Sequence, residues 1–305
     1  MSDQNPTLFI PNVVLCAQPI QNKLRAYSAI TGTWASLDVT VENSGDVFLT
    51  ATNVALVAQP IQNKLRAYSA ITGTWATLDV TVENTGDIFK TTGNVALVGQ
   101  PIQNKLRAYS AITGTWATLD VTVENSGDVF LTGTNVALVA QPIQNKLRAY
   151  SAITGTWATL DVTVENTGDI FKTTGNVVLV GQPIQNKLRA YSAITGTWAT
   201  LDVTVENAGD VFLTGTNVAL VAQPIQNKLR AYSAITGTWA TLNVTVENTG
   251  DAFKVSGNSA LVAQPIQNKL RAYSAITGIW ATLDVTVENS GDVFLVGNMI
   301  GVNDN

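Results

Sequence analysis

The sequence predicts an all-β fold: a seven-bladed β-propeller with four antiparallel strands per blade, closed by pairing of the terminal strands. Three observations predict it. The segment QPIQNKLRAYSAITGTW, first seen at 18–34, returns unchanged at 59, 100, 141, 182 and 223, and with Ile279 in place of Thr at 264. Pro19 recurs at Pro60, Pro101, Pro142, Pro183, Pro224 and Pro265, a constant spacing of 41 residues, and a period of about 40 to 50 built from short strands is that of propeller blades. Within the unit, apolar residues alternate or run in strand-length blocks, with no 3.6-residue pattern. The alternative is an open β-solenoid. Such stacks need atypical capping repeats, and the terminal copies here differ little from the internal ones.

The second unit shows the elements in order. Asp46–Thr50 reads as a strand, followed by a turn at Ala51–Thr52. Asn53–Gln59 is an apolar run suited to burial on both faces. Pro60–Asn63 is a loop, because Pro lacks a ladder donor and Asn tolerates turn geometry. Lys64–Ala70 alternates as a strand does. Ile71–Thr74 is a hairpin turn in which Gly73 takes the positive-φ position. Trp75–Val82 is β-branched-rich, with Leu78, Val80 and Val82 on one face and Asp79 and Thr81 on the other. Glu83–Asp87 connects to the next unit. The repeats run roughly 18–58, 59–99, 100–140, 141–181, 182–222, 223–263 and 264–304, and are expected to share one domain spanning 1–305.

A seven-unit ring needs an inner strand for the first blade. Thr7–Ile10 and Asp292–Val296 are the candidates. The latter matches the repeat better and is expected to close the ring beside Asn12–Ala17. Leu8–Ile10 is then surplus and can lie at an edge, and an unpaired strand edge can recruit other chains. A monomer is expected, with a strand-exchange oligomer as the alternative.

The segment LRAYSAITGTWATL resembles the kelch repeat, in which a Tyr-containing strand, a turn and a Trp-led outer strand follow one another; GDIFKTTGNVALVGQ resembles its inner hairpin. The resemblance extends over all seven units and implies blade topology and strand order. It departs at Ala58-Gln59 and Gly99-Gln100, where kelch units carry Gly-Gly, and it implies little about function.

Copies of the inner hairpin alternate. Residues 126–140 and 208–222 differ at one position, as do 85–99 and 167–181. The deeper unit is thus a pair of blades, as recent amplification or a consensus-like origin would leave.

Composition narrows the chemistry. The chain has 305 residues, 46% hydrophobic and 13% charged, with a net charge of −5, enough for a large core and without the basic stripe of a nucleic-acid binder. No apolar run is long enough for a membrane span. The N-terminal stretch lacks a basic n-region, so a signal peptide is not expected and a cytoplasmic location is. Cys16, the only cysteine, is expected to be a buried packing thiol. Histidine is absent, which removes the commonest general base and metal ligand. No cofactor or metal motif occurs, and near-identical blades supply few distinct groups for an asymmetric catalytic site. The protein is expected not to be an enzyme.

What repeats instead are polar rings. The loop after the second strand and the connection to the next unit are expected on one face, offering Gln59, Gln62, Asn63, Glu83, Asn84 and Asp87 and their copies. Such amides and carboxylates can bind sugar hydroxyls or hard cations, or they can cap turns. Trp34, Trp75 and their copies can stack on sugars or pack between outer strands beside Tyr27 and its copies. Arg25 and its copies are expected to stack or to pair with Asp38 and its copies. Lys90, Lys172 and Lys254, replacing Leu49 and its copies, either meet the ring of Asp46 and its copies or reach water. Three readings of function follow: an interaction scaffold for a protein partner, a multivalent carbohydrate-binding protein with a weak site per blade, or a propeller without an evolved ligand.

Overall fold

The computed structural model describes residues 11–42, 44–83, 85–124, 126–165, 167–206, 208–247, 249–288 and 291–297. The described residues contain 27 β-strands and no helix. The strands form seven antiparallel meander sheets, six of four strands and the first of three, consistent with a seven-bladed β-propeller. The chain divides into two compact units at residues 126 and 127, so that the first three sheets belong to one and the last four to the other.

In the first unit, β1 (Val13–Gln18), β2 (Lys23–Ser28) and β3 (Thr33–Asp38) make the first sheet; β4 (Val47–Thr50), β5 (Val54–Gln59), β6 (Lys64–Ser69) and β7 (Thr74–Asp79) make the second. The outer strand is shorter than its sequence suggested. It ends at Asp79, opposite Lys64; one further bond follows, from the Val80 N–H to the carbonyl of Asn63 (3.0 Å), where Asn63 turns left-handed and the partner strand stops. Val82 is nonetheless buried and joins the core, and Asp79 and Thr81 are exposed, so the expected alternation holds.

The turns form as their residues dictate. Asn63 takes φ 54° and Gly73 φ 73°. Buried Ser69 organises the hairpin: its Oγ accepts from the N–H groups of Ile71 (3.1 Å) and Thr72 (3.0 Å) and donates to the carbonyl of Ala111 in the third sheet (2.5 Å). One hydroxyl thus shapes a turn and ties one sheet to the next.

Each sheet presents two different apolar faces. The face carrying Val54, Leu56, Leu65 and Ala67 packs on Ala96, Val98, Tyr109 and Ala111 of the third sheet. The opposite face, with Ala55, Tyr68 and Ala70, receives Val13 and Ala26 of the first. All six residues of β5 are therefore buried. Tyr68 and Trp75 are cross-strand partners with ring centroids 5.3 Å apart, and Trp75 Nε1 donates to the carbonyl of Ala35 in the preceding sheet (3.4 Å). This is the packing role expected of the tryptophans.

In the second unit the same contacts recur: Trp198 Nε1 donates to Ala158 O (3.4 Å), and Asn135 Nδ2 to Asn176 Oδ1 (2.6 Å). The alternation between hairpin types has a steric basis here. A Cβ on Gly181 would lie 2.8 Å from the ring of Phe212, and one on Gly175 would lie 2.5 Å from the Thr216 backbone. Gly in one sheet makes room for the next.

Two expectations are corrected. Closure by Asp292–Val296 does not form: residues 292–297 make no strand, and Val293 and Leu295 are exposed. Its equivalent β4 is held in extended form by its ladder to β5; Asp292–Val296 makes no such ladder, and a lone strand without paired backbone groups is not stable. Thr7–Ile10 lies outside the described residues. Cys16 is half-buried rather than buried, because the face of the first sheet on which it sits is not covered as the equivalent Val57 is.

The steric argument makes a prediction. Gly181→Ala should cost about 1–3 kcal/mol, because Phe212 must leave its position; chemical denaturation of the variant against the parent measures it, with no loss expected if the Gly is incidental.

Candidate functional site

The loop after β5 and the connection before β4 do meet on one side of the sheet. Gln59, at the end of β5, is completely buried. Its Nε2 donates to the carbonyl of Thr40 (2.8 Å) and to Asp46 Oδ2 (2.9 Å), while its Oε1 accepts from Arg66 Nε (2.6 Å). Every hydrogen-bonding position of the amide that the sequence offered as a ligand is used within the protein, save one lone pair. The same arrangement centres on Gln182, bonded to Thr163 O, Asp169 and Arg189.

The other predicted residues follow suit. Gln62 Nε2 donates to Glu42 Oε1 (3.2 Å), as Gln103 does to Glu83 (3.3 Å). Asn63 serves through its left-handed backbone and its carbonyl. Asp87 Oδ2 accepts from the Glu83 N–H (3.0 Å) and from Gln100 Nε2 (2.9 Å), folding the connection back on itself. Asn84 lies outside the described residues. The structure therefore brings Gln59, Gln62 and their neighbours together as a structural node, repeated at Gln100, Gln182, Gln223 and Gln264; in the first sheet, among the described residues, Gln18 keeps only its bond from Arg25.

Arginine is part of that node. Arg66, nearly buried, spans Gln59 and Thr77 Oγ1 (2.9 Å), and desolvation lowers its pKa against the pull of Asp79 and Asp46. The expected pairing with Asp38 and its copies goes instead to lysine: Lys23 pairs with Asp38 and Lys64 with Asp79 along the exposed outer edge. Lys90, Lys172 and Lys254 are exposed, and among the described residues no ion pair includes them.

The node leaves acceptors over. Oδ1 of Asp87, Asp169, Asp210 and Asp251 is buried and, among the described residues, makes no hydrogen bond, and the same is true of Gln103 Oε1. Desolvation accordingly raises the pKa of these four carboxyls above the ordinary carboxylate value, outweighing the bonds from Gln and from the backbone. Among the described residues no three His, Cys, Asp or Glu side chains converge as metal ligands.

The sequence reasoning passed over one repeated side chain. Ile61 stands between Pro60 and Gln62 at the tip of the same loop; it and its copies Ile102, Ile143, Ile184, Ile225 and Ile266 are each 67–69% exposed, and Ile20 in the first sheet is 98% exposed. The signal was present: an apolar residue flanked by Pro and polar amides, returned at every period.

No protein-family model and no curated protein matches this chain. Among solved structures it is similar to a streptogramin B lyase (16% identity over 83% of this chain and 87% of that one, TM-score 0.32). It is similar also to apo AztD from Citrobacter koseri (10%, 90% and 83%, TM-score 0.34) and to Hsv2 of Kluyveromyces lactis (8%, 89% and 93%, TM-score 0.32). Likeness at those TM-scores carries no argument about this chain's activity.

Two outcomes are expected. Gln182→Ala should destabilise the protein by about 3 kcal/mol, since it strands a buried guanidinium and a carboxylate together; a denaturation midpoint equal to the parent's would return the glutamines to the pool of free ligands. The four raised carboxyls hold their protons more tightly folded than unfolded. Their contribution to stability is present below the ordinary carboxylate range and is lost as pH rises through their elevated values. Asp210→Asn should therefore flatten the dependence of Tm on pH in that window, and a profile parallel to the parent's would contradict it.

Proposed function

We propose that the protein is a non-enzymatic interaction scaffold that engages a protein partner through the loop edge of its sheets. The observation that carries this reading is the set of isoleucines at Ile61 and its copies, one exposed apolar side chain per sheet on equivalent loops. A buried partner group at each gains about 1.5–3 kcal/mol for a well-covered side chain, and equivalent weak contacts gain strength when engaged together. Rigid glutamine–arginine nodes directly beneath hold the loops in place, so little ordering cost falls on binding. Kelch-like blades belong to the same reading, on the paired Tyr68 and Trp75 and the meander order of the sheets. The absence of histidine and the sameness of every sheet favour binding over catalysis.

The test compares the parent with a chain carrying Ile→Ser at 20, 61, 102, 143, 184, 225 and 266. Exposed positions should leave Tm nearly unchanged. Partners captured by the parent should be lost by the variant, and a glycan array, with and without Ca²⁺, should be silent for both. Sugar binding that survives the substitutions would overturn the scaffold reading in favour of a lectin.

A further inference from the structure

The two terminal sheets leave opposite faces bare. In the seventh sheet, the face equivalent to Leu56, Leu65 and Ala67 consists of Leu261, Leu270, Ala272, Ala281 and Leu283, and Leu283 is 59% exposed. These residues line an open groove of about 280 Å³. In the first sheet, the face equivalent to Ala55, Tyr68 and Trp75 carries Val14 and Trp34, 52% and 58% exposed, with Tyr27 only partly covered. Internal sheets bury these positions, as the fully buried Leu65, Ala67 and Tyr68 show.

The hydrogen bonds that join successive sheets are cut at the same two faces. Internally, Asn53 Nδ2 donates to Asn94 Oδ1 (2.6 Å), Ser69 Oγ to Ala111 O (2.5 Å), and Trp116 Nε1 back to Ala76 O (3.5 Å). At the seventh sheet, among the described residues, Asn258 Nδ2 and Ser274 Oγ have no acceptor, although Asn258 Oδ1 accepts from Asn217 and Ser274 Oγ accepts from Thr277 N–H. At the first sheet, among the described residues, Asn12 Oδ1 and the carbonyl of Ala29 have no donor, and Asn12 Nδ2 is already given to Asn53; Trp34 Nε1 has no acceptor, a bond that is also unmade at Trp239 and Trp280.

We propose that the seventh sheet of one molecule docks on the first sheet of a second copy, head to tail. The occupant is specified by the repeat itself. Asn258, Ser274 and Ala281 of one chain stand to Asn12, Ala29 and Trp34 of the next as Asn53, Ser69 and Ala76 stand to Asn94, Ala111 and Trp116 within a chain. The donors and acceptors match in number and direction, and the apolar faces are the pair that already packs between internal sheets. Because the two faces differ, the contact is heterologous, and successive copies extend into a ring or a filament. This inference is independent of the loop isoleucines.

Sedimentation of the full chain over about a hundredfold range of concentration tests it. The mass is expected to rise in multiples of one chain. Leu283→Arg, at an exposed position, should return the mass to a single chain with an unchanged circular dichroism spectrum. In a Cys16→Ser background, Val14→Cys and Ala272→Cys occupy the equivalents of Ala55 and Ala26, which share one core cluster; a short bis-maleimide should join them between chains, giving a ladder on a denaturing gel. A single-chain mass throughout, an assembly that survives Leu283→Arg, or a crosslink formed only within one chain would each overturn the proposal.

Discussion

An antiparallel sheet that is apolar on both faces must be covered on both, and this requirement organises the whole molecule. The central strands, such as β5, have no polar face to turn to water. Covering a single leucine is worth about 1.5–3 kcal/mol, and each internal sheet covers several on either side. Neighbouring sheets are thus not docked accessories but the means by which any one of them is stable, as in other repeat architectures. The identity of the repeats follows easily: one sheet's upper face must fit the next sheet's lower face, and a copied sequence guarantees the fit.

The polar groups serve the same requirement. Where a strand ends inside the stack, its loops carry buried donors and acceptors that need partners. Gln59 and its copies resolve this by bonding the preceding connection, the carboxylate beneath it and the guanidinium beside it. Chemistry that looks suited to sugars or cations is spent in holding loops to sheets. The unsatisfied carboxylate oxygens are the residual cost, visible in the upward shift of four aspartates.

Much of this was readable in the residues. The number of sheets, the order of the strands, the Asn63 and Gly73 turns and the Tyr–Trp packing all follow from a fixed period and from local stereochemistry. The length of the outer strand did not, because it is set by the strand opposite: pairing stops where Asn63, just before Lys64, turns left-handed. Nor did the pairing of the hairpin types: Gly181 reads as a variant of Ala until Phe212 of the next sheet is seen against it.

The sequence by itself determined the repeating unit: its strands, its turns and the apolar character of both its faces, all set by interactions within about 41 residues. The tertiary structure decided which polar side chains were consumed and which apolar ones remained outside. Gln59, the last residue of β5, and Ile61, in the loop after it, stand two residues apart; one is fully buried and the other is 69% exposed. It also decided that Asp292–Val296 forms no strand and that the end sheets keep a bare face. Burial and pairing are properties of what lies opposite a residue, and a repeated sequence assigns the same residues to sheets covered on both faces and to sheets covered on one.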